Sequence, residues 1–234
     1  MSLLVIRGGL SDPVTDERLR TVAEIFPEHE VQLIRNPEEL LSRAAEVEIC
    51  FGKVSPEFVE AAVNLRWLQW DAAGVNQIVP AVKKAVSAGR RLTFSNASGI
   101  HAAVVSEHIL ALMFSLSRRL RYAFRLQETG GWKEGKGPGV FQLEGKSVLL
   151  VGVGAIGSAF AVKAKALGMQ ITGIRRRTNR PHQHIDLLIP SDDLPVHLPK
   201  ADFVVITAPL TEETHNLFGP SELAAMNNQG YLIN

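Results

Sequence analysis

Two rhythms of apolar and polar positions alternate along this chain. Short apolar runs recur at 3–6, 31–34, 48–51, 66–70 and 92–95. Each is the length of a strand and apolar at successive positions, the pattern of a strand covered on both faces. Between them lie segments with helical spacing, "DPVTDERLRTVAEIF", "PEELLSRAAE", "SPEFVEAAV" and "PAVKKAVSAG". Asp12-Pro13, Asn36-Pro37 and Ser55-Pro56 each put a capping side chain before a proline suited to a first helical turn, and Gly89 follows its helix as a stop.

A longer helical pattern covers 99–126, with apolar residues at Ile100, Val104, Val105, Ile109, Leu112, Met113, Leu116 and Leu120. The glycine-rich loop "TGGWKEGKGPGV" follows, and then a second strand–helix series with strand candidates at 147–152, 170–174, 203–207 and 230–234. Strands separated by helices predict an α/β chain of parallel sheets with helices on their faces. A domain boundary is expected near "SNASG", giving domains 1–97 and 98–234.

Composition narrows the function classes. Of 234 residues 46% are hydrophobic, enough for a substantial core. Lys and Arg number 25 against 24 Asp and Glu, so no basic excess points to nucleic acid. The longest apolar stretch, "IHAAVVSEHILALMFSL", is interrupted by Glu107 and His108, so no membrane span is expected. The N-terminus shows no secretory pattern. The single cysteine, Cys50, lies in apolar surroundings and reads as an inert buried thiol in a reducing, cytoplasmic compartment.

Chemistry concentrates in "SVLLVGVGAIGSAFAVKAKALG". Gly152, Gly154 and Gly157 form G-x-G-x-x-G between an apolar strand and a helix. The first glycine suits a tight turn, the second close approach of a pyrophosphate, the third close helix packing. Ala155 and Ile156 belong to the same helix start, whose free N–H groups favour phosphate. The plainer alternative is a turn that only lets the helix pack. After the next strand, where a carboxylate would bind the ribose of NAD, stand Arg175, Arg176 and Arg177. Guanidiniums cannot accept from a ribose diol but pair with a 2′-phosphate, so NADP(H) is preferred and NAD(H) remains possible. A solvated basic turn is the bland alternative.

Five ordered segments resemble the D-isomer-specific 2-hydroxyacid dehydrogenases, the family of glyoxylate/hydroxypyruvate reductases. "WLQWDAAGVNQI" is similar to the family's substrate loop, with Asn76 where Asp is commoner. "FSNASGIHAAVVSEHILALMFSLSRRL" resembles its hinge and Ala-Glu-His helix, with Ser106 replacing Ala. "LEGKSVLLVGVGAIGS", "ADFVVITAPLTEETHNLF" and "ELAAMNNQGYLIN" match the glycine loop and the later strands. The resemblance implies two doubly wound parallel-sheet domains, a flavodoxin-like substrate (lid) domain and a partial Rossmann domain, the second with four strand candidates where a full fold has six.

It also implies hydride transfer between a nicotinamide coenzyme and a small 2-oxo or 2-hydroxy acid, and a homodimer. Backbone amides of Gly74 and Val75 would hold the substrate carboxylate, while Ala208, Pro209 and Thr214 would lie along the adenosine side. The family's catalytic Arg, acid and His correspond to positions beyond Asn234, so residues 1–234 are expected to be inactive alone. The alternative is a non-catalytic nucleotide-binding or structural remnant of such an enzyme. No metal site is expected: His182 and His184 in "RPHQH" lack a third ligand. Packing or helix-end hydrogen bonding is expected of His101, His108 and His215. Trp67 and Trp70 are read as core, and Asp71 as a loop cap.

Overall fold

The computed structural model describes residues 2–7, 14–132, 139–176, 178 and 181–234. It divides into two compact units, Met1–Ser98 and Gly99–Asn234, the division falling inside "SNASG".

The first unit runs β1 (Ser2–Ile6), α1 (Asp16–Ile25), β2 (His29–Leu33), α2 (Pro37–Ser42), β3 (Val47–Phe51), α3 (Pro56–Ala61), β4 (Trp67–Trp70), α4 (Val79–Ser87) and β5 (Thr93–Asn96). All its strand pairs are parallel and lie in the order β2-β1-β3-β4-β5, the flavodoxin-like order. The expected caps form at α2 and α3. Asn36 Oδ1 accepts from the N–H of Glu38 at 2.8 Å, and Ser55 Oγ accepts from the N–H of Phe58 at 3.2 Å. At α1 the cap is Thr15, whose hydroxyl accepts from Arg18 N–H; Asp12-Pro13 lies outside the described residues. Gly89, at φ +87°, ends α4 with paired bonds from its own N–H to Val86 O and from Arg90 N–H to Ala85 O. Leu4, Val5, Val47, Cys50, Leu68 and Trp70 fill the core of this unit.

The second unit opens with a correction. The expected single helix is two, α5 (Ala102–Ser117) and α6 (Leu120–Glu128). Arg119 adopts φ +53° at the break, and the freed carbonyl of Ser117 accepts from Phe141 N–H at 3.1 Å. No Gly or Pro marks this point, so spacing alone ran through it. The unit continues with β6 (Ser147–Val151), α7 (Ala155–Ala166), β7 (Gln170–Ile174), β8 (Leu187–Ile189), α8 (Leu194–His197), β9 (Phe203–Ile206), α9 (Pro220–Ala225) and β10 (Tyr231–Ile233).

Strand β8 is a second correction, raising four expected strands to five among the described residues. It is three residues long and depends on pairing with β7, reinforced where Asp186 Oδ2 accepts from Ile171 N–H at 2.7 Å. The all-parallel order β10-β9-β6-β7-β8 gives the first five places of a Rossmann sheet, with β6 central and β7 and β9 on opposite sides of it.

Alternation along β6 builds two cores. Val148 and Leu150 join Met113, Phe160, Ala161 and Ala164 on one face; Leu149 and Val151 join Ile174, Leu194 and Leu198 on the other. Burying each such large side chain contributes about 1.5–3 kcal/mol. Helices α5 and α7 are also tied by Lys163 Nζ, which donates to the buried Ser106 Oγ at 2.6 Å. A rigid β6 flanked by packed helices fixes the loop that leaves its carboxyl end.

Candidate dinucleotide-binding site

That loop is shaped by its glycines. Gly152, at φ +100°, lies so close to the end of β9 that a Cβ there would sit 2.5 Å from Ala208 N. Thr207 Oγ1 donates to Gly152 O at 2.6 Å and ties the turn to the end of β9. A Cβ on Gly157 would fall 2.3 Å from Gly152 O, so the helix lies against the turn without room for a methyl group. Gly154 differs: an added Cβ meets nothing within 4 Å. Protein packing does not demand glycine there, whereas a phosphate approaching the backbone would.

Gly154 is also the N-cap of α7 and offers no side-chain hydrogen bond to it, and no acidic residue stands in the first turn. The helix start therefore presents its amides and positive dipole end to the space beside Gly154. Ala155 and Ile156 form this first turn, with Ile156 half-buried against the core.

A cleft of about 450 Å³ opens at the carboxyl ends of β6, β7, β8 and β9. Gly152, Gly154, Arg175, Arg176, Ala208, Pro209 and Thr214 all line it, so most of the expected contact residues are brought to one place. Arg177 lies outside the described residues. A wider cavity of about 610 Å³, near Lys146, Asp202 and Tyr231, lies at the opposite, amino ends of the strands and lacks the glycine loop. Ligands of open α/β sheets bind at the carboxyl ends where strand order reverses, which selects the smaller cleft.

The cleft contains groups that sequence reasoning missed. Ser191 and Asp192, just after β8, line it, as do Thr207 and Glu213. Glu213 Oε2 lies 3.7 Å from Arg176 Nη1. Their sequence neighbourhoods carry no signal of this; only the strand order brings the loops together. Thr214 has a further role within its loop, where its hydroxyl donates to Pro209 O at 2.5 Å and accepts from Thr211 N–H at 2.8 Å.

Beside the cleft, His182 Nδ1 accepts from His184 N–H at 3.3 Å, which leaves Nε2 as the donor to Ser158 Oγ at 3.0 Å. Burial, with the nearby His184 and Arg175, pushes its pKa below the ordinary histidine value and favours this neutral form. Among the described residues no group of three His, Cys, Asp or Glu is arranged to hold a metal. His101, His108 and His215 are all exposed, which corrects the expectation of packing, and His101 precedes α5 without capping it through its side chain.

In the first unit, the loop after β4 carries Gly74 and Val75. Trp70 Nε1 donates to Gly74 O at 2.9 Å and Asn96 Nδ2 donates to Ala73 O at 3.1 Å, so the loop is anchored from β4 and β5. A Cβ on Gly74 meets nothing within 4 Å. Trp70 is buried; the half-buried Trp67 packs with Phe26 and Phe51.

A Rossmann strand order, a glycine turn and an uncapped helix start at one cleft define a dinucleotide-binding α/β protein. Residues 110–234 match the family described as D-isomer specific 2-hydroxyacid dehydrogenase, NAD binding domain, and the chain belongs to that family. It is 30% identical over 221 residues to a glyoxylate reductase of Thermococcus litoralis, covering 88% of this chain and 65% of that protein. It is 29% identical over 228 residues to glyoxylate/hydroxypyruvate reductase B of Klebsiella pneumoniae, covering 94% and 69%. A solved D-isomer specific 2-hydroxyacid dehydrogenase family protein of Aeromonas salmonicida superposes with a TM-score of 0.81 at 26% identity, over 99% of this chain and 71% of that one. The chain thus spans about two thirds or less of the first curated relatives it matches.

Proposed function

We propose that this chain is the coenzyme-binding part of an NADP(H)-preferring reductase of small 2-oxo acids such as glyoxylate or hydroxypyruvate. The reading is carried by one observation: Arg175 and Arg176 line the cleft at the carboxyl end of β7, beside the glycine turn. Guanidiniums there suit a 2′-phosphate by charge-assisted pairing. The bound nicotinamide would supply the hydride, while the chain's own work is orientation. Gly152 and Gly157 hold the turn, the first amides of α7 receive the pyrophosphate, and the loop holding Ala208, Pro209 and Thr214 borders the adenosine side. Amides of Gly74 and Val75, on the loop anchored by Trp70, would receive the substrate carboxylate.

No histidine lines the cleft among the described residues. We infer that residues 1–234 bind coenzyme without turnover of their own. The second unit exposes Val104, Phe114, Phe124 and Trp132, the last at 93%, and a second copy covering them would form a homodimer. A cytoplasmic setting suits the single buried thiol.

Fluorescence titration with NADPH and NADH tests the coenzyme reading, with tighter NADPH binding expected and abolished as a preference by Arg175→Asp with Arg176→Asp. Equal affinities overturn it. Reduction of glyoxylate by residues 1–234 alone would overturn the assignment of binding without turnover.

A further inference from the structure

The first unit holds a second cleft, of about 510 Å³, at the amino ends of its strands. His29 opens β2, Glu48 lies on β3, Trp67 opens β4, and Arg66, Arg90 and Arg91 reach it from the segments leading into β4 and β5. This is the end of the sheet opposite the Gly74 loop, which follows β4.

Among the described residues, three buried side-chain nitrogens have no hydrogen-bond partner: His29 Nδ1, His29 Nε2 and Arg90 Nε. All three belong to residues lining this one cleft. Buried polar groups are normally satisfied, so their concentration at one place calls for a partner that hydrogen-bonds. Local carboxylates do not provide it. Glu48 accepts from Arg66 Nη1 at 2.8 Å, and its nearest approach to His29 Nε2 is 3.7 Å, beyond hydrogen-bond range. Arg90 is held rigidly, donating through Nη1 to Val59 O at 2.7 Å and through Nη2 to Ala62 O. Three guanidiniums face one carboxylate around the cleft, which leaves an excess of positive charge, and Arg91 is exposed.

We propose that this cleft binds a small oxyanion, a carboxylate or a phosphate. Preorganised guanidinium N–H groups suit planar or tetrahedral oxygens. The exposed Arg91 and the backbone-anchored Arg90 supply the positive charge, and Trp67 lines the cleft beside them.

The test follows the Trp67 indole resonance by NMR while the 234-residue chain is titrated with inorganic phosphate and, separately, with malonate, ionic strength being held with sodium chloride. A saturable shift is expected, weakened at least about tenfold by Arg91→Glu and less by Arg91→Lys. Arg175→Asp with Arg176→Asp, which disables the other cationic cleft, leaves it unchanged. A response to phosphate alone assigns a phosphate ligand, and one to malonate alone a carboxylate. A Trp67 signal that neither anion moves, that sodium chloride moves equally, or that responds undiminished in Arg91→Glu overturns the proposal. Arg91 is exposed and outside the core, so its variants retain the fold, which their melting curves check.

Discussion

Arg176 and Glu213 face each other across the mouth of the coenzyme cleft, Nη1 and Oε2 being 3.7 Å apart, one beyond β7 and the other in the loop beyond β9. Both side chains are well exposed, at 82% and 69%, so the pair contributes little to stability. Its interest lies in competition. A 2′-phosphate approaching Arg176 must share that guanidinium with Glu213 and meets a like charge. Glu213→Gln is expected to tighten NADPH binding about twofold to fivefold, the range of an exposed ion pair, and to leave NADH unchanged or slightly weaker. Parallel titrations of the two coenzymes check it, and an equal gain for both would refute the competition.

The two glycines flanking the start of α7 are expected to respond oppositely to alanine. Gly154→Ala places its methyl in open space and should change stability by less than about 1 kcal/mol, yet cut coenzyme affinity at least about tenfold. Gly157→Ala drives a methyl against Gly152 O and should cost about 1–3 kcal/mol of stability. Urea unfolding alongside coenzyme titration separates the effects. If Gly154→Ala binds like the parent, no pyrophosphate passes there.

Asp202 ties β9 to β6, accepting from Ser147 N–H at 2.8 Å and from Lys146 Nζ at 2.9 Å. Burial opposes its ionisation, but those hydrogen bonds and the lysine charge prevail and hold its pKa below the ordinary carboxylate value. A lowered folded pKa means a stabilisation present above the unfolded value, about 3.9, and lost as pH falls through the folded one. Asp202→Asn should therefore cost about 1 kcal/mol near neutral pH, with the difference from the parent shrinking below about pH 4. Unfolding curves at the two pH values measure this, and a gap that widens in acid would contradict it.

Cys50 is fully buried between the neighbours of β3, and burial pushes its thiol up to about 12. It should react with a disulfide reagent at mildly alkaline pH only as fast as the unit opens, and at once in denaturant. Rapid labelling of the native chain would show that the first unit is looser than its packing implies.

The sequence made the sheets legible because parallel strands are covered on both faces. Runs such as "SVLLV" then stand out against amphipathic neighbours. Asn36 and Ser55 were legible as caps because their bonds are local. The break at Arg119 was not, since a left-handed arginine carries no compositional mark and is held by tertiary contacts, among them Arg119 Nε to Gly139 O at 3.2 Å. Leu187–Ile189 was too short to read without its partner strand. In the cleft, the glycines and arginines could be read because each sits at a fixed offset from a strand. Asp192 and Glu213 reach the same space from segments distant in sequence, so their charges entered only with the topology.

The exposure of Arg176 and Glu213 has a practical side. Neither side chain supports the packing of β6, β7 or β9, whereas Gly152, Thr207 and Gly157 form a knot that cannot be edited without damage. On the proposed reading, coenzyme preference would lie in a rewritable rim on a fixed socket. A swap of charge at those two positions should retune the choice of coenzyme and leave the folding of the unit undisturbed.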